Sequence, residues 1–486
     1  MRVANARLPD CRAGVRVPAA CRNIVGGMPN ETFGSKVNQV KILMLTWGSM
    51  GDLMPFVALA RELANGGHRI VLGGPNLFAL PARDFGLEFK TVGSHLTREA
   101  YDALMDRVRA EINPRKQLKI LQQEVLVADL ETQFEDVLHL IGDIDLVVCH
   151  WMQLAGMMAA EKAGVPCVTL TLNPVGVGCL FQSTALEGAR SSQRNIAREL
   201  ADLLWGDGVQ RFRTTCGLPP IQSVAEYQYS SGLNLVAVSR HLLPDCDRWP
   251  SEHRVVGFFN GPAAADWRPD ERLAAFFDGG EKPIVVSFGS MSGTDARQTT
   301  RLVVDAVEQL GSRAIVQAGW AGLGDESTPP NILRVGYVPH DWLFQRASCV
   351  VHHGGAGTTA AALRAGVPSV IVWHMLDQSY WGAVLSTLGV GPKSIARSDM
   401  DSATLASLIC SAIGNSAYGE ACSKMGELIR SELGTRLAAW LILEFAEKRH
   451  AGLQSPISGC NGTDEAASSE ALSHPVACAP ALGLAQ

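Results

Sequence analysis

The sequence lacks the patterns that mark several common classes of protein. No two of its 12 cysteines form a Cys-x-x-Cys clip, the closest pair being Cys11 and Cys21, which excludes the zinc and redox motifs of that spacing. No run approaches the roughly 18 uninterrupted apolar residues of a membrane-spanning helix. Charged residues make up 19% of the chain and the net charge is -6, so there is no basic field for nucleic acid. We therefore expect a cytoplasmic protein with mostly buried cysteines, no nucleic-acid partner and at most peripheral contact with a membrane.

The length of the chain predicts two domains. Its 486 residues exceed the roughly 250–300 at which one hydrophobic core stops growing. Residues 1–38 carry five arginines and little periodicity, which predicts a disordered leader; a transit-like segment, or a start at Met28, is the alternative. Residues 451–486 are rich in Ala, Ser, Gly and Pro, and we expect a disordered tail because such a segment buries too little apolar area.

Strand and helix patterns alternate along the rest of the chain. The stretch 40–52, VKILMLTWGSMGD, is an apolar strand that ends in glycines, and a helical pattern and a second strand follow it. The pattern restarts at 283–291, PIVVSFGSM, where the strand again ends in Gly-Ser-Met. This predicts an α/β fold of two facing Rossmann-like domains, 39–256 and 283–450, joined by a linker, 257–282. In such a pair, ligands bind in the cleft at the carboxyl ends of the strands.

The most informative stretch is HHGGAGTTAAALRAGVPSVIVWHMLDQ, residues 352–378. The preceding strand should end near His353, the glycines should form a turn, and a helix should start between Gly357 and Thr359. Backbone N–H groups and the positive end of the helix dipole would then lie at the carboxyl edge of the sheet, where they favour an anion such as a diphosphate. A glycine-rich turn is a weak signal by itself, and a tight turn with capping threonines and a buried histidine explains the same residues.

Two neighbouring motifs favour a nucleotide sugar as the ligand. VPHDWLF, residues 338–344, supplies an aromatic that can stack on a base, and Asp377 and Gln378 can exchange hydrogen bonds with sugar hydroxyls. Together with the glycine loop and with WGSMGDLMPFVALARELANGGHRI near the N-terminus, these motifs resemble the inverting nucleotide-sugar glycosyltransferases of family 1, in particular sterol 3-β-glucosyltransferases and bacterial rhamnosyltransferase relatives. The resemblance covers roughly residues 40–430.

The resemblance implies the GT-B architecture, with the acceptor on the N-terminal domain and the donor on the C-terminal domain. It assigns a donor contact to nine residues, which are Gly289 and Ser290 in the first loop of the C-terminal domain, Trp342 at the base, His353 at the diphosphate, Gly355, Gly357 and Thr358 in the phosphate loop, and Asp377 and Gln378 at the sugar. It gives no role to His352, for which a place in the core or behind the site is as good as a direct contact.

The resemblance also implies a general base in GSMGDLMP, where the family carries a histidine or an aspartate and this chain has Asp52. A carboxylate at a helix start is by default a cap, and the two roles can coexist. As a base, Asp52 would take the proton of the acceptor hydroxyl while that oxygen attacks C1 of the sugar with inversion. The helix dipole, the loop amides, Thr358 and His353 would stabilise the departing diphosphate, so no metal and no cofactor is expected.

Two residues at a strand end in the first half, His150 and Trp151, are candidates for the acceptor pocket. The alternative is that they are a plain strand end with no contact to a ligand.

The sequence leaves the substrates open. UDP-glucose is the favoured donor and dTDP-rhamnose the alternative. The acceptor is expected to be a lipophilic alcohol such as a terpenoid, a polyketide aglycone or a hydroxyacyl lipid; a sterol is less favoured because only 39 residues precede the first strand. A nucleotide-sugar epimerase and a non-catalytic nucleotide-sugar-binding protein are the other classes that fit. A dehydrogenase is disfavoured, because neither turn has the full Gly-x-Gly-x-x-Gly pattern with its acidic ribose ligand.

Overall fold

The structure, a computed structural model, describes residues 39–454 with the exception of 112–113, 122, 125–126, 178–204, 230–231, 244–245, 260–266, 290–295, 319–327 and 376. The predicted leader and residues 455–486 of the predicted tail lie outside the described residues. Both sheets of the molecule belong to one compact unit.

The first half of the described chain holds a seven-stranded parallel sheet. Its strands are β1 (Lys41–Leu45), β2 (Arg69–Gly74), β3 (Glu88–Thr91), β4 (Leu146–His150), β5 (Cys167–Thr171), β6 (Asn234–Val236) and β7 (His253–Val255). They lie in the order β3-β2-β1-β4-β5-β6-β7. The helices of this half are α1 (Met50–Asn65), α2 (Ala79–Asp84), α3 (Arg98–Ala110), α4 (Pro114–Leu121), α5 (Leu130–Leu140), α6 (Leu154–Ala163), α7 (Asp207–Thr215) and α8 (Val224–Tyr227).

The second half of the described chain holds a six-stranded parallel sheet. Its strands are β8 (Ile284–Ser287), β9 (Ala314–Gln317), β10 (Ile332–Val335), β11 (Cys349–His352), β12 (Ser369–Trp373) and β13 (Ile395–Ala396). They lie in the order β10-β9-β8-β11-β12-β13. The helices are α9 (Glu271–Asp278), α10 (Ala296–Gln309), α11 (His340–Leu343), α12 (Ala356–Ala365), α13 (Gln378–Thr387), α14 (Ser402–Gly414), α15 (Ser416–Arg430) and α16 (Gly434–Gln454).

The central strands are continuous apolar runs because helices cover both faces of each sheet. All five residues of β4 and all four of β8 are buried, and in β1 burial is complete from Ile42 to Leu45. Two Rossmann-like α/β domains of parallel strands, as the sequence predicted, are therefore confirmed.

The two sheets share one strand order, and this places the ligand crevice in each. Counting from the first strand of each half, both run 3-2-1-4-5-6, and the first sheet adds a seventh strand after the sixth. The order reverses between β1 and β4 in the first sheet and between β8 and β11 in the second. Ligands of open parallel sheets bind at such a switch point, outside the carboxyl ends of the strands. The loops after these four strands are the place to look for function.

The two halves are held together by a shared apolar cluster and by the last helix. The cluster combines buried residues of the first half, such as Tyr229 and Val236, with Ala360 and Trp381 of the second. Helix α16 lies within the predicted second domain, yet it returns to pack on α1, and it runs to Gln454, four residues into the predicted tail.

Two further expectations concern cysteines and membranes. Of the described cysteines, Cys149, Cys349 and Cys422 are buried, three are partly buried and Cys410 is exposed. In the part of the chain that the structure describes, no helix combines the length and the apolar character needed to cross a bilayer.

Candidate active site

The loop after β1 folds the Asp52 carboxylate back over the start of α1. Ser49 is the N-cap residue, and its backbone N–H and its hydroxyl both donate to Oδ2 of Asp52, at 2.7 and 3.0 Å. Gly48, with φ of +105°, makes the turn, and a Cβ at this position would lie 2.5 Å from Asp52 Oδ2. Asp52 is thus the acidic member of a capping box. Its Oδ2 accepts both hydrogen bonds from Ser49, and its Oδ1 accepts neither.

Oδ1 of Asp52 faces a histidine at the end of the neighbouring strand. His150 closes β4, its side chain is 2% exposed, and its Nε2 lies 3.6 Å from Asp52 Oδ1. Its Nδ1 accepts a hydrogen bond from the backbone N–H of Met152 at 3.3 Å. In the neutral ring the hydrogen therefore sits on Nε2, which is buried, makes no hydrogen bond and has Asp52 Oδ1 just beyond hydrogen-bonding distance. The sequence predicted both residues separately, Asp52 as a base and His150 as an acceptor contact, and did not predict that they form a pair.

Trp151 lies beside this pair in the first half. Its ring stacks on Tyr229, with centroids 5.8 Å apart and planes at 18°. Trp151 is partly buried and packs against the core. Its ring centroid lies 5.8 Å from that of His150, so Trp151 supplies aromatic surface close to the Asp52 and His150 pair.

In the second half, the glycine loop after β11 begins with a buried histidine. His352 is fully buried, and its Nδ1 accepts the backbone N–H of Gly354 at 3.1 Å. Burial, with a smaller effect of His353 and His340, holds its pKa well below the usual value. His352 therefore braces the turn from within the core, while Gly354, with φ of +85°, provides the backbone conformation that the turn needs.

The next residue, His353, lies between two glycines of different loops. A Cβ on Gly355 would lie 2.3 Å from His353 Nε2, and a Cβ on Gly289 would lie 3.1 Å from Cε1 of the same ring. Burial lowers the pKa of His353 to about 4, with a further contribution from His340. The imidazole is therefore neutral at pH 7 and lies at the start of α12. Ser290, the predicted neighbour of Gly289, lies outside the described residues.

Helix α12 begins at Ala356, one residue before the predicted range, with Gly355 as its N-cap. No side chain caps it. The alternative interpretation, in which Thr358 and Thr359 cap the helix, is therefore wrong. Gly357 is exposed, and a Cβ there would meet no atom within 4 Å. The N–H groups of the first turn thus face open space at the carboxyl edge of the sheet, an arrangement that favours an anion.

The predicted sugar-binding pair follows β12. Gln378 is buried, and its Oε1 accepts the backbone N–H groups of His374 and Met375 at 2.7 and 3.1 Å. This carboxamide oxygen therefore shapes the loop. Asp377 precedes α13, and burial, followed by the negative charge of Asp52, raises its pKa to about 6.

Asp377 is also the point where the two halves meet at the candidate site. The side-chain amide of Asn173, in the loop after β5, donates to Oδ2 of Asp377, a contact across 204 positions of the chain. The carboxyl edges of the two sheets therefore face each other here, with Asp52 and Asp377 near enough for their charges to interact. Nothing in the local sequence pattern around Asn173 indicated this contact.

The ring of Trp342, the aromatic predicted to stack on the base, is in contact with three other side chains of the protein. The guanidinium of Arg346 lies 4.1 Å from its ring centroid, and Trp267 and Phe277 contact the same ring at 4.9 and 5.4 Å. Tyr337, which follows β10, is instead 74% exposed. The sequence reasoning passed over Tyr337, although an aromatic just past a strand end was a signal for it.

The sequence contains three Asp-x-Asp triplets, at 143–145, 245–247 and 399–401. The first pairs with Lys41, which begins β1 and so lies at the edge of the sheet opposite to the site. Asp401 of the third caps α14, and the second is only partly described. Among the described residues, no cluster of three or more His, Cys, Asp or Glu side chains could hold a metal ion.

Two parallel Rossmann-like sheets, whose carboxyl edges face each other across a carboxylate pair and a glycine-rich helix start, define the GT-B architecture. Residues 42–173 match the family model for the glycosyltransferase family 28 N-terminal domain. Residues 301–433 match the model for the C-terminal domain of erythromycin biosynthesis protein CIII-like proteins.

Individual proteins agree with these models. A sterol 3-beta-glucosyltransferase of Arabidopsis thaliana, UGT80B1, is 31% identical over 78% of this chain, which spans 64% of that relative's length. The O-mycaminosyltylonolide 6-deoxyallosyltransferase of Streptomyces fradiae is 29% identical over 84% of this chain and 98% of its own. Among solved structures, the glycotransferase of kitacinnamycin superposes with a TM-score of 0.65 at 20% identity, over 84% of this chain and 100% of that one. The family models and these relatives make the chain similar to glycosyltransferases, and its fold is the GT-B architecture.

Proposed function

We propose that the protein transfers a hexose from a nucleotide-diphosphate sugar to a hydroxyl of a lipophilic acceptor, with inversion at C1 and with UDP-glucose as the favoured donor. The observation that carries the proposal is the pairing of Asp52 with His150 in the first half, opposite Asp377 of the second. Transfer between two bound substrates requires a base near the acceptor in one half and a group that binds the sugar of the donor in the other.

In the proposed reaction, Asp52 is the general base. The acceptor hydroxyl gives its proton to the Asp52 carboxylate while its oxygen forms a bond to C1 of the sugar. The bond from C1 to the diphosphate oxygen breaks, and its electron pair leaves with the diphosphate. The His150 Nε2–H lies 3.6 Å from Asp52 Oδ1, and in the proposed reaction it stabilises the carboxylate once the two groups approach. The 3.6 Å separation is longer than a hydrogen bond, and the proposal requires that it shorten when substrate closes the site.

The charge that develops on the diphosphate would be stabilised by the start of α12. The free N–H groups of its first turn, the hydroxyl of Thr358 and the imidazole of His353 act at the same end of the helix. Since His353 is neutral at pH 7, it contributes a hydrogen bond and no full charge. The proposed mechanism needs no metal ion, and chelation by EDTA is expected to leave the rate unchanged.

The base of the nucleotide would lie at the carboxyl edge of β10. Trp342 is one platform for it, but a base on the arginine-covered face would have to displace Arg346. Tyr337 offers a ring that is 74% exposed, and stacking on an aromatic contributes roughly 1–3 kcal/mol per base. Tyr337→Ala and Trp342→Ala separate the two, since only the variant that removes the platform weakens binding of UDP.

The proposed acceptor is lipophilic because aromatic surface lies beside the base. Trp151 is partly buried and its ring lies 5.8 Å from that of His150, and aromatic rings bury large apolar areas. The sterol and macrolide named for the relatives are substrates of those proteins; here they define the first acceptors to test.

A deoxyhexose donor such as dTDP-rhamnose is the second candidate. It is favoured by the similarity to the 6-deoxyallosyltransferase of Streptomyces fradiae, which this chain matches over 98% of that protein's length. Asp377 and Asn173 are equally placed for either sugar, so the donor has to be decided by experiment.

The test is a transfer assay by mass spectrometry. UDP-glucose and dTDP-rhamnose are each paired with sterols, terpenoid alcohols, macrolide aglycones and hydroxyacyl lipids, and the product linkage is read by NMR. The proposal predicts a product heavier by one hexose or deoxyhexose with the inverted anomeric configuration. A retained configuration contradicts the mechanism. Conversion of the donor without acceptor, or donor binding with no product in any pair, contradicts the proposed function.

A further inference from the structure

Asn173 is held at both ends of its side-chain amide. Its Oδ1 accepts the backbone N–H of Val175 at 2.9 Å, and its Nδ2 donates to Oδ2 of Asp377 in the other half. Because the carbonyl end is used by the turn at Val175, the NH₂ end must face the carboxylate. Asn173 is therefore preorganised in the first half to meet a residue of the second.

This contact changes what Asp377 offers to a ligand. Because Oδ2 of Asp377 accepts from Asn173, a sugar hydroxyl would donate to the other oxygen, Oδ1. A hydrogen bond to a carboxylate also favours its ionised form. Four described groups act on the Asp377 carboxyl: Asp52 of α1 repels its charge, whereas the backbone N–H of Asp377 itself, Asn173, and Trp381 of α13 stabilise it.

We propose that Asn173 is a positioning residue that completes the sugar-binding site: it fixes the Asp377 carboxylate so that its other oxygen accepts a hydrogen bond from a sugar hydroxyl, and it does so only while the two halves are in contact. This inference deepens the proposed function and rests on it. It makes recognition of the sugar, as distinct from the nucleotide, depend on closure of the acceptor half onto the donor half.

The experiment compares binding of the nucleotide with and without its sugar. Calorimetry measures UDP against UDP-glucose, and dTDP against dTDP-rhamnose, on the wild type and on Asn173→Ser, Asn173→Ala and Asn331→Ala. Serine keeps an oxygen that can accept the Val175 N–H but has no amide to reach Asp377. Asn331 is a matched control: it is partly buried and donates to Ser312 O at 2.8 Å, just before β10 at the opposite edge of the sheet.

Asn173→Ser and Asn173→Ala are expected to weaken the sugar nucleotide about tenfold or more and to leave UDP and dTDP unchanged. The loss of affinity for the sugar nucleotide on acidification should also move to higher pH, because Asp377 loses a hydrogen bond to its ionised form. Asn331→Ala should match the wild type in both respects.

Three results overturn the proposal: equal weakening of nucleotide and sugar nucleotide, no change in either, or a pH dependence identical to that of the wild type. If Asn173→Ala does not fold, the serine variant decides the question. Failure of the proposed function is read separately, in the transfer assay: the wild type would then form no glycoside in any pair, whatever the Asn173 variants do to binding.

Discussion

At the residue scale, the ionisation of Asp377 gives the first prediction. Burial disfavours its charged form and the Asp52 charge repels it, so its pKa rises to about 6. If the carboxylate accepts hydrogen bonds from the sugar, kcat/KM for the donor falls as pH decreases through about 6, where the carboxyl becomes protonated. Asp377→Asn should have a lower kcat/KM and lose this step. A wild-type profile that is flat between pH 5 and 7.5 would contradict the assignment.

His353 gives the second prediction at this scale. It lies between Gly289 and Gly355 at the start of α12, and it is neutral at pH 7 because burial lowers its pKa to about 4. A neutral hydrogen-bond donor can be replaced by another, so His353→Gln should keep a substantial part of the activity. His353→Ala should lose on the order of 100-fold in kcat/KM, the usual effect of deleting one such donor. Equal losses in both variants would show that the imidazole acts in another way.

At the element scale, the start of α12 contains two glycines with different constraints, the N-cap Gly355 and Gly357 in the first turn. Gly357 has open space around it, whereas a side chain on Gly355 would collide with His353. Gly357→Ala should stabilise the helix by roughly 0.5–1 kcal/mol and still raise KM for the donor about tenfold, or about 1.4 kcal/mol, because the methyl group occupies the diphosphate position. Unfolding curves and donor kinetics test both halves of the prediction.

Gly355→Ala is the companion variant. Its methyl group must push the imidazole of His353 aside, so it should reduce activity about as much as His353→Ala. A Gly357→Ala protein with unchanged KM would exclude the first turn of α12 as the diphosphate site.

The strands and the glycine loop could be predicted because their signals are local. An apolar run such as β4 or β8 follows from burial on both faces, and the turn at Gly354 follows from its neighbours in sequence. The pairing of Asp52 with His150 could not, because it depends on β1 lying next to β4. The contact between Asn173 and Asp377 depends on how two halves meet, and no periodicity encodes that.

The surroundings of Trp342 could not be predicted from its motif either. Its place in the motif predicted a base platform, but Arg346 is one helical turn away and Trp267 reaches the ring from outside the second sheet. Whether an aromatic is available to a ligand depends on what else covers it, which a motif does not contain.

At the scale of the whole molecule, six of the described histidines have lowered pKa values, namely His68, His241, His253, His340, His352 and His353. Burial is the largest cause in each. Such groups take up protons more readily when unfolded, so stability falls as pH decreases below about 6.5. For His340 and His353, with values near 4, the cost at pH 5 is roughly 2 kcal/mol each. Asp377 and Glu432 act in the opposite sense, since their pKa values are raised, but they are fewer.

We therefore expect Tm to fall steadily between pH 7 and pH 5. His353→Gln should reduce the slope, and His139→Gln, at an exposed position in the last turn of α5, should leave it unchanged. A Tm that is constant or rises over this range would contradict the account of the buried imidazoles.

The central claim is that Asp52 is the general base of a transfer reaction, and Asp52→Asn tests it most directly. An asparagine oxygen can still accept from Ser49, so α1 should keep its capping contact, while the side chain can no longer take up a proton. Transfer by wild type and Asp52→Asn is followed by mass spectrometry, with binding of UDP-glucose measured in parallel. We predict that binding is retained and that transfer falls by roughly 100- to 10,000-fold, the usual contribution of a positioned base. Transfer by Asp52→Asn at the wild-type rate would contradict the claim.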